Sequence, residues 1–166
     1  PYALLFAFFG WGVLKTSKEN HSLIISAGLI IAYSIFNLYW APMHQREVIA
    51  MGGGTLTDTL HITWAIITLL LMMLIMAFGA AALGKGFRLY TIVTWAVFIV
   101  FGILTWLESP GMEKNLPTPW IGVWERINIG AFMVWVIVLA KVLLRMRKVT
   151  SLTMQNANTL TQNFQD

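Results

Sequence analysis

Five apolar runs separated by short polar stretches organise the 166-residue chain: about 1–14, 22–40, 57–83, 88–107 and 119–144. Each is too long and too continuous for a strand. Crossing a bilayer core takes about 20 residues, which the last four runs approach or exceed, the third with length to spare for tilt. The first is short unless chain precedes it. In lipid only helices and closed barrels satisfy their own backbone. The pattern therefore predicts an all-α membrane protein, a polytopic transmembrane helical bundle of five visible helices over 1–149. The stretch 150–166 is rich in Asn, Gln and Thr with no apolar face, and is expected to be a disordered tail.

Composition strengthens this reading. The chain is 58% hydrophobic and 11% charged, against about 25% charged in soluble domains. A domain this small has no interior in which to hide such runs. The net charge of +4 would suit a nucleic-acid binder, but no RNA-binding motif is present, and membrane proteins hold Lys and Arg in their cytoplasmic loops. Nucleic acid is thus excluded as a partner. If the helices alternate, Lys15, Lys18, Lys85, Arg88, Lys141, Arg145, Arg147 and Lys148 share one side, eight of the eleven basic residues. The positive-inside rule makes that side, with the C-terminus, cytoplasmic. Glu47, Asp58, Glu108, Glu113 and Glu125 fall on the other side, five of the seven acidic residues. Tyr39, Trp40, Trp106, Trp120 and Trp124 mark the outer interface and Tyr90 the inner one, as aromatic belts do. The expected location is the cell membrane, with multiple passes and an extracytoplasmic polar cluster.

There are no cysteines, so disulfides, thiolate metal sites and cysteine nucleophiles are excluded. Pro1 opens directly into an apolar run without a basic leader, which predicts preceding chain, not a signal peptide. The small-residue stretch GAAALGKG (79–86) suits close helix packing or a cytoplasmic turn.

Candidate chemistry gathers in two outer segments. In APMHQREVIAMGGGTLTDTLHITW, Pro42 and Gly52, Gly53 and Gly54 break the helices. Thr55 and Asp58 have capping-box spacing, with Asp in place of Glu, and Thr57 is an alternative cap. Asp58 also suits the positive end of a helix dipole. His61 lies three residues on, on the same face, and His44 could swing over it. His44, Asp58 and His61 make a conceivable zinc set, a proton-handling pair, or an interfacial hydrogen-bonded histidine. In LESPGMEKNLPTPWIGVWERINIG, Thr118 and Pro119 start a helix. At 1.5 Å per residue, Glu125 and Arg126 then lie roughly 9–10 Å along it. They point about 100° apart, so each seeks a partner elsewhere; Glu108 or Asp58 could pair with Arg126. The alternative is a polar pocket open to the outer side, with Asn128, Tyr33 and Asn37 as further lining.

PMHQRE, GGTLTDTLHI, GKGFRLYTI and above all LPTPWIGVWERINIGAFMVWVIVLA resemble the DUF998 family (domain of unknown function 998), bacterial and archaeal membrane proteins without an agreed activity. The resemblance covers 44–145 well and the first two helices more loosely. It implies six helices, with one further N-terminal helix and an outer loop, and it adds no reaction. Three functions stay open. The first is a structural role, or the binding of a lipid or membrane-protein partner, which needs only ion pairing among Glu108, Glu125 and Arg126. The second is a metal-assisted hydrolase of a lipid-like substrate, with zinc on His44, Asp58 and His61 and with Glu125 or Glu108 as general base. The third is a small transporter, disfavoured because the helix midpoints carry no ionisable group.

Overall fold

A computed structural model describes residues 2–17, 19–44, 46–52, 55–114 and 116–163. Pro1, Lys18, Gly53, Gly54 and the last three tail residues, all used in the sequence reading, lie outside the described residues, as do the side chains of Arg46 and Glu113. Among the described residues seven helices follow one another: α1 Tyr2–Thr16, α2 His21–Phe36, α3 Arg46–Ala50, α4 Leu56–Ala82, α5 Lys85–Glu108, α6 Pro110–Glu113 and α7 Ile121–Asn163. No strand occurs among the described residues. The protein is an all-α membrane bundle. Leu56–Ala82, Lys85–Met112 and Ile121–Thr153 are long and apolar enough to cross a membrane, and α1 and α2 are shorter apolar helices.

Local chemistry sets the boundaries. The Asn20 carboxamide oxygen accepts the Leu23 N–H at 3.1 Å and caps α2, while its Nδ2 donates to the Ala82 carbonyl at 3.0 Å. One side chain thus starts α2 and satisfies the end of α4. Gly84 separates α4 from α5, and Arg88 returns to donate to the Ala80 and Ala81 carbonyls at 3.2 and 3.3 Å. At the opposite end α2 stops at Phe36, short of the expected 40, because Asn37 turns its side chain back to the Tyr33 carbonyl at 2.9 Å. The chain then runs without helix to His44. Gly52, with φ of +76°, follows α3 in the left-handed region that glycine adopts without penalty. Pro110 opens α6 at a position where no N–H is needed.

The chain divides into two units, Pro1–Phe132 and Met133–Asp166. In the first, α1 packs on α2 and α2 on α4, α5 lies more loosely beside α4, and the short α3 and α6 touch. We name the two ends of this unit after Asp58, at the start of α4, and Lys85, at the start of α5. Ala27, Ile30, Ile75 and Met76 are fully buried where α2 meets its neighbours. The Ser26 hydroxyl, also buried, donates to the Ile75 carbonyl at 3.0 Å and links α2 to α4. Gly10 lets α1 come close: a Cβ there would stand 2.9 Å from Ile31 Cγ1 and 3.2 Å from the Ala27 carbonyl. Phe132, early in α7, stacks on Phe6 and tilts against Tyr33, with centroids 5.9 and 5.5 Å apart, and Trp124 meets Phe101 of α5 at 5.5 Å. The start of α7 therefore joins α1 and α2 on one side to α5 on the other. Several hydroxyls inside the helices donate to their own backbone, as Ser34 does to Ile30 (2.7 Å) and Thr94 to Tyr90 (3.0 Å); the buried Thr68 hydroxyl has no partner among the described residues.

The second unit is the continuation of α7. Lys141, Arg145, Arg147 and Lys148 are exposed after its apolar stretch. From 150 onward, where a disordered tail is expected, the helix runs on to Asn163. No Gly or Pro lies between 149 and 163 to end it.

Candidate functional site at the Asp58 end

Asp58 is buried at the first turn of α4. One carboxylate oxygen accepts the His44 backbone N–H at 2.8 Å, and the other accepts the Thr55 backbone N–H at 2.7 Å. The second of these is the capping-box contact that the Thr55–Asp58 spacing predicts. The Thr55 hydroxyl donates to the same carboxylate at 3.1 Å, and it also meets the Thr57 hydroxyl at 2.7 Å. His44 Nδ1 lies 3.0 and 3.2 Å from the two oxygens. Facing a carboxylate, that nitrogen is the donor. Asp58 is thereby surrounded by donors, and the half-exposed His44 shields it from one side.

His61 does not join this group. Its Nδ1 lies 2.8 Å from the Ala41 carbonyl and must carry the proton there, and the Trp40 ring meets it edge-on at 5.4 Å. One turn further, Trp64 stacks on Phe36 with centroids 4.4 Å apart and donates its indole N–H to the Phe36 carbonyl at 3.2 Å. Asp58, His61 and Trp64 follow at i, i+3 and i+6 and so share one helix face. Together they engage the backbone of His44, Ala41 and Phe36 in turn. The connection leaving α2 is zipped antiparallel onto the first three turns of α4. Asp58 and His61 stand out in the sequence as polar residues; Trp64 does not, and its spacing of three from His61 is the one signal it carries. The backbone partners Ala41 and Phe36 carry no such signal.

The second cluster is more dispersed. Glu125 and Arg126 are both exposed, and Arg126 Nη1 donates to the Gly122 carbonyl of its own helix at 2.7 Å. Among the described residues the ion pair present is His44–Asp58, and Arg126 reaches neither Glu108 nor Asp58. Trp120 and Trp124 stack at 5.9 Å beside these charges. Glu108 is partly buried and Asn128 buried; Glu108 Oε2 and Asn128 Oδ1 have no hydrogen-bond partner among the described residues. Asn128 precedes Phe132 by four residues, one turn toward the Asp58 end on the face that meets Tyr33. Tyr33 itself is buried and hydrogen-bonded to Tyr2 at 3.1 Å. Asn37 is occupied in ending α2.

As a zinc set, His44, Asp58 and His61 offer one close pair and one histidine whose Nδ1 is committed to a backbone carbonyl. Among the described residues no group of three metal-ligating side chains converges.

The model of the family described as "Protein of unknown function (DUF998)" matches residues 1–142. The chain belongs to the DUF998 family. For this DUF998 protein no curated protein and no solved structure gives a match. The match spans α1 to α6 and α7 through Val142, and so takes in the zipped connection and the Glu125–Arg126 segment alike.

Proposed function

We propose that this DUF998 protein has a binding role, not a catalytic one, with the Asp58 end on the extracytoplasmic side and Glu125 and Arg126 presented to lipid headgroups. The charge distribution supports the sidedness: Lys15, Lys85 and Arg88 lie at the other end of the first unit. The observation that carries the role is the division of labour among the polar residues. Asp58, His44 and His61 are spent on holding the connection from α2 to α4. Glu125 and Arg126 remain exposed beside two stacked tryptophans. Trp and Arg at this level suit the interface, where an indole keeps one edge wet and a guanidinium can bind phosphate. A zwitterionic headgroup carries both complementary charges, a phosphate for Arg126 and an ammonium for Glu125.

The test is mass spectrometry of the intact protein released from micelles containing phosphatidylethanolamine. The wild type should retain the lipid, and Glu125→Gln and Arg126→Gln should each retain less while keeping their helical circular dichroism. Equal retention in all three proteins would overturn the headgroup reading.

A further inference from the structure

The Lys85 end of α4 and α5 carries a feature that the proposed role does not use. A groove of about 370 Å³ runs between the two helices, lined by Ala77, Ala80 and Ala81 on α4 and by Arg88, Ile92 and Trp95 on α5. The alanines make it: three short side chains leave the flank of α4 low beside the larger residues of α5. From Arg88 to Trp95 the groove descends about 10 Å, at 1.5 Å per residue. Besides the guanidinium at the mouth, its walls carry two polar groups: the Thr91 hydroxyl, which donates to the Phe87 carbonyl at 2.9 Å, and the Trp95 indole N–H, which has no acceptor among the described residues. That guanidinium is exposed yet held in place by the Ala80 and Ala81 carbonyls through Nε and Nη2. A guanidinium has five N–H donors, so most of its donors remain for another acceptor. Arg88 lines the groove at its Lys85 end, the level at which a lipid headgroup would lie.

We propose that this groove seats one anionic phospholipid of the leaflet at the Lys85 end, its acyl chain along the alanines and its phosphate on Arg88. The apolar length and the single fixed cation argue for a lipid with a charged head, since a partner helix would not need a guanidinium at the level of the headgroups. Lys85, exposed three residues before Arg88, adds attraction without lining the groove. The inference is independent of the headgroup reading at the Asp58 end, because it uses different helices and different residues.

Spin-labelled phosphatidylglycerol and phosphatidylcholine, each added to the intact protein in phosphatidylcholine vesicles, measure the motionally restricted lipid by electron spin resonance. The wild type should prefer phosphatidylglycerol, and Arg88→Gln should lower that preference by more than the roughly fivefold weight of one cation at a membrane surface. Lys85→Gln removes the same charge off the groove and should lower it much less. Ala81→Leu fills the groove, leaves every charge in place, and should release the restricted lipid of both kinds. Equal losses in Arg88→Gln and Lys85→Gln would mean general surface attraction and overturn the proposal. So would an Ala81→Leu protein that restricts lipid as the wild type does. A wild-type dimer split by Ala81→Leu would place a second copy in the groove and overturn it as well.

Discussion

Gly10 offers a sharp test of the α1–α2 contact because α1 provides its own control two residues later. A Cβ on Gly10 would lie 2.9 Å from Ile31 Cγ1, 3.0 Å from Ile30 Cγ2 and 3.2 Å from the Ala27 carbonyl, whereas one on Gly12 meets nothing within 4 Å. Carbon atoms in contact normally stand about 3.5–4.0 Å apart, so the first substitution overlaps its neighbours by roughly half an ångström and the second by nothing. Both glycines lie inside α1, so replacing either by alanine gains the same helix propensity, about 1 kcal/mol. That gain cancels in the comparison. What remains is the cost of forcing an extra methyl into a packed interface, ~1–3 kcal/mol. Gly10→Ala should therefore be less stable than Gly12→Ala by that amount in reversible unfolding from mixed micelles, and Gly12→Ala should equal or exceed the wild type. If the two variants unfold together, α1 does not approach α2 through Gly10, and the packing described for the first unit is wrong.

Ser26→Ala removes the buried hydroxyl that binds the Ile75 carbonyl and should cost about 0.6 kcal/mol in the same unfolding assay, the average for hydrogen bonds between membrane helices; a cost of zero would mean the bond is not made. Asp58→Ala takes away the acceptor of the His44 and Thr55 N–H groups, so a Glu-specific protease should cut after the exposed Glu47 several-fold faster than in the wild type. An unchanged cutting rate would contradict the zipped connection. Zinc analysis of the purified protein should find far less than one ion per chain, and the same for His61→Ala. Stoichiometric zinc lost in that variant would replace the zipped connection with a metal centre.

The bundle was legible because lipid imposes a simple rule: long apolar runs must be helices. The start of α4 was readable from Thr55 and Asp58, whose spacing encodes the cap. What escaped is what depends on a partner without a side-chain signature. His61 hydrogen-bonds to a backbone carbonyl, and any residue at position 41 would supply one. Its pairing with Ala41 is therefore invisible in the sequence, although its shared face with Asp58 is not. Arg126 illustrates the converse. A charge near the hydrocarbon edge suggested an interhelical partner, but the Gly122 carbonyl four residues earlier lies within reach and leaves the guanidinium at the surface. Likewise the polar residues after 150 looked structureless by composition, yet they contain nothing that stops the helix begun at Ile121.

The proposed function puts the Asp58 end on the extracytoplasmic side, and a chain without cysteine is a clean background for testing that. Single cysteines placed by Leu116→Cys, between α6 and α7, and by Gly86→Cys, at the start of α5, sit at opposite ends and are both exposed. A membrane-impermeant maleimide applied to intact cells should label Leu116→Cys at once and Gly86→Cys only after permeabilisation. Labelling in the reverse order would put the Asp58 end in the cytoplasm and contradict the account.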